Sequence, residues 1–245
     1  MLGLPDGIKA CLFDMDGVLT ETATVHARAW KAMFDDYLKQ RDSDDFKPFT
    51  QDDYDEYVDG KPRYDGVRSF LASRGIDLPD GTPDDDPGTE TIDGLGNRKN
   101  DLVLELIARD GVEAYEGSVR YVRAARDAGL RRAVVSSSSN CRDVLEAAGI
   151  LDLFEEIVDG VVATREGLKG KPAPDTFLAG ARRLGVEARQ AAVFEDAVAG
   201  AEAGRAGAFG CVVGVDRVGH ADALREHGAD VVVRDLAELL DKDAA

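Results

Sequence analysis

Residues 8–22 read IKACLFDMDGVLTET, and the rest of the chain makes sense as scaffolding around them. Ile8, Cys11, Leu12 and Phe13 form a short apolar run that ends on an acidic pair, Asp14 and Asp16, followed by Gly17. Such a run predicts a strand buried on both faces of a parallel sheet. In sheets of that kind the chemistry lies just beyond the carboxyl ends of the strands, so both aspartates are expected at the crevice. Two carboxylates one residue apart repel each other unless a cation sits between them. Mg²⁺, a hard ion that takes oxygen ligands and often brings phosphate with it, is the natural candidate. The competing reading is an acidic turn in which Asp and Gly supply only turn chemistry. A bare DxDG leaves the two open.

A chain of 245 residues can hold one large domain or two small ones. With 48 acidic against 30 basic residues the formal charge is −18, which argues against nucleic acid or anionic membrane as a partner. Any bound phosphate must then be held by local positive groups against the overall field. The excess acid reads equally as solvated surface or as an adaptation to salt. Cys11, Cys141 and Cys211 show no CxxC spacing, and Cys11 and Cys211 lie in apolar runs as small core residues. No disulfide framework is implied, and a reducing compartment fits. The opening MLGLPDG lacks a basic, apolar leader, and no window reaches the length of a membrane span. The expectation is a soluble, cytoplasmic, monomeric protein.

After the DxDG loop, Val25, Ala29, Trp30, Met33 and Tyr37 recur at helical spacing. Residues 24–109 read as mostly helical, with YDEYV, YDGVRSFLASRGI and NRKNDLVLELIA as amphipathic pieces. Between them LPDGTPDDDPGTETIDG, dense in Pro, Gly and Asp, reads as loop. A helical insert directly after the first strand of an α/β domain makes a natural lid. From about residue 115 the rhythm changes to alternating strand and helix, which predicts a doubly wound parallel sheet. In that stretch CRDVLEAAGILDLF is expected as one helix, EEIVDGVVA to contain a short strand, and ADVVVRDLAELLDK as a strand with a closing helix. The fold class is therefore α/β: a Rossmann-like core, residues 1–20 and 110–245, interrupted by an inserted helical cap, residues 21–109.

Three further stretches carry chemistry. In VVSSSSN, residues 134–140, hydroxyl residues stand where a strand ends and a helix begins, suited to an anion or simply to capping the helix. In KGKPAPD, residues 169–175, prolines fix the backbone after Lys171, which can neutralise a phosphoryl group. An isolated lysine there reads as surface, and Lys169 competes for the role. AVFEDAVAG, residues 192–200, sets Glu195 and Asp196 at the end of another apolar strand, where they suit either an oxygen cage for Mg²⁺ or a helix cap.

FDMDGVLTET, the serine loop, KPAPD and FEDA, in that order from residue 13 to 200, resemble the motifs of the haloacid dehalogenase superfamily of phosphotransferases. TVHARAWK, VDGKPRYDG, RKN, SSSSN and KPAPD together resemble its β-phosphoglucomutase-like subfamily. The resemblance implies a Mg²⁺-dependent enzyme that works on a small phosphorylated sugar through an aspartyl-phosphate. Asp14 would be the nucleophile, Asp16 the acid/base, and Ser136 and Lys171 the grips on the transferring group. Mg²⁺ would be held by Asp14, the main-chain carbonyl of Asp16, Glu195 and Asp196, of which Asp196 is the stronger ligand. Ser137, Ser138 and Asn140 would line the phosphate loop. Of the cap residues, His26 would help hold the acid/base Asp, while Thr22 and Trp30 stand near the entry to the site. Gly60 and Arg63 would grip the non-transferring phosphate, and Lys99 and Asn100 would meet the sugar. Ala197, where a Ser is usual, and a cap loop longer than expected are departures, and the loop bears on substrate choice.

Isomerisation of β-glucose 1-phosphate to glucose 6-phosphate is the implied reaction. A sugar-phosphate phosphatase on the same core is the alternative, since only the acceptor differs. Loss of a motif group would favour a non-catalytic module, and all are present. A dehalogenase fits Asp16 and Arg63 poorly.

Overall fold

The structure, a computed structural model, describes residues 2–42 and 46–240. Its internal contacts divide the chain into two units, Thr22–Gly111 and Met1–Glu21 together with Val112–Ala245.

The first of these is helical: α1 Ala23–Asp42, a short α2 Gln51–Asp53 that runs into a π-helical turn Tyr54–Val58, α3 Arg63–Ser73 and α4 Ile92–Asp110. α1 buries Val25, Ala29, Trp30, Met33, Phe34, Tyr37 and Leu38, a single stripe set by the 3.6-residue period. That stripe meets an aromatic core in which Phe34 stacks on Trp30 at 5.3 Å and lies 4.2 Å from Phe70, centroid to centroid. Thr50 and Asp53 form a reciprocal capping box at the start of α2. α4 begins earlier than the Pro, Gly and Asp density suggests. The Thr91 hydroxyl accepts from Gly94 N at 2.9 Å, so Ile92–Gly94 are helix rather than loop, and Ile92 is buried.

The other unit contains β1 Ala10–Phe13, α5 Glu116–Asp127, β2 Arg131–Val135, α6 Cys141–Ala147, β3 Glu156–Val158, α7 Gly160–Glu166 and α8 Asp175–Arg183. β4 Ala191–Glu195, α9 Val198–Ala206, β5 Cys211–Val215, α10 Ala221–Glu226 and β6 Val231–Val233 complete it. The six strands pair in parallel in the order β3-β2-β1-β4-β5-β6. This is the doubly wound fold, and the order reverses between β1 and β4, where a parallel sheet opens its crevice. Both faces of β1 are covered, which is why its sequence is continuously apolar. Leu12 packs with Val193 and Phe177 on one side, while Phe13 stacks on Phe194 at 4.5 Å and meets Tyr121 edge-on at 6.3 Å on the other.

Two local expectations are corrected. CRDVLEAAGILDLF is not one helix: α6 stops at Ala147, Gly149 takes φ +68°, and Leu151–Leu153 form a separate 3₁₀ turn. EEIVDGVVA contains its short strand, β3, after which the Asp159 carboxylate accepts from Val162 N at 2.8 Å and caps α7. The closing helix is a 3₁₀ turn, Leu236–Leu239, capped by Asp235, and the rest of that expected helix lies outside the described residues. Cys11, Cys141 and Cys211 are buried free thiols. Among the described residues no helix is long and apolar enough to cross a membrane.

Candidate active site

β1 delivers Asp14 to the switch point. The Asp14 amide donates to Phe194 O at 2.9 Å, which carries the ladder with β4 one residue past the strand. The chain then closes tightly: Leu19 N and Thr20 N both donate to Met15 O, at 2.8 and 3.0 Å, and Gly17 N donates to Thr20 O at 2.8 Å. Gly17 has φ +81°, and a Cβ there would lie 1.7 Å from Asp196 Oδ2. Glycine is required twice over, for the left-handed backbone and for the approach of that carboxylate. Gly17→Ala is expected to cost about 1–2 kcal/mol from the backbone alone. Because the new methyl must also push Asp196 aside, cation affinity should fall as well, by roughly 10- to 100-fold. Thermal melting with and without Mg²⁺ measures both effects.

Lys171 is the hub of the site. Its Nζ donates to Asp14 Oδ1 at 2.5 Å, to Glu195 Oε1, and to Val135 O at 3.3 Å, joining the carboxyl ends of β1, β4 and β2. The ring of Phe177 lies 4.9 Å from the ammonium. Lys171 and Glu195 are almost wholly buried, at 3% and 0% exposure, whereas Lys169 is exposed. Burial by itself would push the Lys171 pKa down, but Asp14 and Glu195 more than reverse this and hold the ammonium charged. Glu195 is fixed from its other oxygen, Oε2, which accepts from Ala197 N at 2.9 Å. It also lies flat against α9, since a Cβ at Gly200 would fall 1.8 Å from Glu195 Oε1.

Carboxylate oxygens of Asp14, Glu195 and Asp196 lie within 4.8 Å of one another. This oxygen-only donor set suits a hard cation. The charge balance agrees, because three carboxylates face one ammonium. Burial pushes the Asp14 carboxyl well up from its usual range, Lys171 pulls against that, and Glu195 and Asp16 add to it. A divalent cation bound there would supply the missing positive charge. The Asp16 carboxylate is not in this group.

The serine loop leaves β2 at Ser136, whose amide donates to Val158 O at 3.0 Å and whose buried hydroxyl accepts from Ser138 N at 3.1 Å. The Ser138 hydroxyl accepts from Asn140 N at 3.2 Å, and Ser137 is partly buried between them.

In the helical unit, Thr22 is buried and its carbonyl accepts from His26 N at 3.0 Å. Lys99 Nζ lies 2.8 Å from His26 Nδ1 and 4.8 Å from the Trp30 ring, so α1 and α4 bring these three residues together. Trp30 is 3% exposed and belongs to the aromatic core. Asn100, one residue on from Lys99, is partly buried. Gly60, at φ +70°, turns the chain into α3. Arg63 at the start of α3 donates from Nη2 to Tyr64 Oη at 3.2 Å, and Tyr64 Oη donates to Asn97 Oδ1 at 2.9 Å. Asn97 in turn donates to Pro83 O and Asp85 O, at 3.0 and 2.9 Å, so the long Asp-rich loop is tied to Arg63. Gly96 makes room for this pair, since a Cβ there would meet Tyr64 at 2.6 Å. Gly17, Gly96, Asn97 and Gly200 were not singled out in the sequence as site residues. For Gly200 the hint was a glycine four or five residues after the acidic end of a strand, and for Gly17 it was the DxDG turn itself.

A family model for haloacid dehalogenase-like hydrolases matches residues 8–207. A protein of Mycobacterium bovis named beta-phosphoglucomutase is 56% identical over 98% of this chain and 94% of its own length. Another of that name, from Bacillus subtilis, is 30% identical over 95% of this chain and 92% of its own. In fold, a crystal structure of beta-phosphoglucomutase from Clostridium difficile superposes with a TM-score of 0.75 over 95% of this chain and 93% of that one, at 24% identity.

Proposed function

The chain belongs to the haloacid dehalogenase-like hydrolase family, and from that premise we propose that it is a Mg²⁺-dependent β-phosphoglucomutase, converting β-glucose 1-phosphate to glucose 6-phosphate. One observation carries the reading: Asp14, at the end of β1, meets Lys171 at 2.5 Å and shares a cluster of carboxylate oxygens with Glu195 and Asp196. Nucleophile, fixed cation and cation-binding oxygens thus occupy one crevice.

Asp14 attacks the phosphorus, the bond to the sugar oxygen breaks, and Asp16 gives its proton to that oxygen. In the second half Asp16 takes the proton of the acceptor hydroxyl, which attacks the phosphorus as the bond to Asp14 breaks. Ser136 and Lys171 hold the phosphoryl oxygens, and Ser137, Ser138 and Asn140 shape the loop around them. Asp14, the main-chain carbonyl of Asp16, Asp196 and Glu195 would hold Mg²⁺, which would offset charge on the transferring group. His26 helps to hold the acid/base, and Thr22 and Trp30 stand near the entry to the site. Lys99 and Asn100 contact the sugar, and Gly60 and Arg63 take the phosphate that stays in place. The partner is a small phosphorylated sugar, and the three buried free thiols suit a cytoplasmic enzyme.

The test is incubation with β-glucose 1-phosphate, Mg²⁺ and a trace of glucose 1,6-bisphosphate. Glucose 6-phosphate should accumulate without equivalent free phosphate; stoichiometric phosphate would put a phosphatase first. Arg63 separates these outcomes further. A mutase must hold a bisphosphate, and Arg63 Nε is buried without a hydrogen-bond partner among the described residues, so it has donor capacity to spare. Arg63→Ala should weaken bisphosphate use by about 1.5–3 kcal/mol. Hydrolysis of a small phosphate ester, measured in parallel, should hardly change.

A further inference from the structure

The loop after β5, Asp216–His220, contributes nothing to the chemistry above, yet it reaches both catalytic loops. Arg217 Nε donates to Gly17 O at 2.9 Å, on the loop of Asp14 and Asp16. His220 Nε2 lies 2.9 Å from Asp196 O, on the loop of the cation ligands. A carbonyl only accepts, so this nitrogen carries the proton and donates.

Each donor is itself fixed. The Arg217 guanidinium lies 3.6 Å from the Tyr115 ring centre, and its Nη1 donates to Arg234 O at 2.8 Å and Asp235 Oδ2 at 3.1 Å. Its Nη2 reaches Ser118 Oγ at 3.4 Å, and Ser118 Oγ donates to Val18 O at 2.6 Å, which grips the same catalytic loop a second time. His220 is set by Asp216, whose Oδ1 accepts from Gly219 N at 2.6 Å and His220 N at 2.9 Å. Asp216 N donates to Val233 O at 2.8 Å, so the loop is rooted in β6.

We propose that Arg217 and His220 are positioning residues: one rigid loop holds the Gly17 and Asp196 carbonyls and thereby sets the spacing of the carboxylates that bind the cation. The physical need is clear. Asp14, Glu195 and Asp196 repel one another where β1 and β4 end; Lys171 ties Asp14 to Glu195, while the Gly17 and Asp196 carbonyls are gripped from this third loop. A clamp from a third strand end supplies the preorganisation before the cation arrives. The inference rests on the cation role assigned to these carboxylates under the proposed function.

The experiment measures Mg²⁺ binding by calorimetry on the full chain without substrate, alongside thermal melting. His220→Ala and Arg217→Met should each weaken Mg²⁺ roughly 10- to 100-fold. His220→Gln, which keeps an amide donor, should recover most of the loss, which a general packing defect would not allow. Because both residues hold one geometry, the double variant should lose much less than the product of the single losses. Arg217→Met also removes the bonds to Arg234 O, Asp235 and Ser118, so His220→Ala and His220→Gln carry the decision. Mg²⁺ affinity unchanged in a folded His220→Ala, or affinity that His220→Gln does not restore, overturns the proposal, as does absence of Mg²⁺ binding by the parent. Normal Mg²⁺ binding with no glucose 6-phosphate formed would instead defeat the mutase reading and leave the clamp standing.

Discussion

Asp14→Asn should abolish turnover while the protein folds and melts at least as well as the parent. The side chain keeps its shape, so packing at the end of β1 is undisturbed. What goes is the nucleophile, and with it the covalent intermediate that divides the reaction into two accessible steps. Removing such a group costs on the order of 10⁴–10⁶ in rate. Stability should move the other way. Burial, Glu195 and Asp16 together raise the Asp14 pKa against the pull of Lys171, so the ionised carboxylate is a cost to the folded state at neutral pH. A group shifted in this direction weakens the fold as pH rises past its unfolded value, and a neutral amide removes that dependence. Glucose 6-phosphate formation and thermal melting at pH 7 check the two halves. A variant that keeps a percent of the parent rate, or that still traps labelled phosphate, would rule Asp14 out as nucleophile.

The second large effect is at Lys171. Lys171→Met keeps most of the buried stem and removes the ammonium that Asp14 and Glu195 share. Taking one partner from a buried ion pair leaves uncompensated charge and costs about 3–5 kcal/mol. For a chain of this size that is roughly 6–20 °C in melting temperature. Turnover should fall by on the order of 10²–10³, as when a donor to the transferring group is lost. Millimolar Mg²⁺ should close part of the melting gap, because it supplies positive charge to the same carboxylates. Lys169→Met, two residues away and exposed, should change stability by no more than about 0.5 kcal/mol. Equal effects at the two lysines would overturn the role of Lys171 as the ammonium shared by Asp14 and Glu195.

The family and the doubly wound sheet were legible in the chain itself. Each strand buried on both faces is a continuous apolar run, and each is followed by its polar loop, so Asp14, Ser136 and Glu195 stand out at strand ends without any knowledge of tertiary contacts. These are short-range signals: period, caps, and the chemistry of adjacent residues. Their limits are equally local. Gly149, stopping α6, outweighed the apolar pattern around it.

Tertiary structure alone decided how those strand ends meet. Lys171 lies 157 positions from Asp14, and nothing in KPAPD states that its ammonium is shared between Asp14 and Glu195. Only the strand order, with β1 between β2 and β4, brings the three ends together and makes the lysine a hub. The same holds for Gly17, where the absent Cβ matters because the Asp196 carboxylate, from another strand end, fills its place. It holds too for Arg217, 200 positions from the carbonyl it grips. Local sequence encodes what one stretch of backbone prefers. Desolvated charge and close approach are properties of pairs distant in the chain, and they exist only once the sheet has assembled.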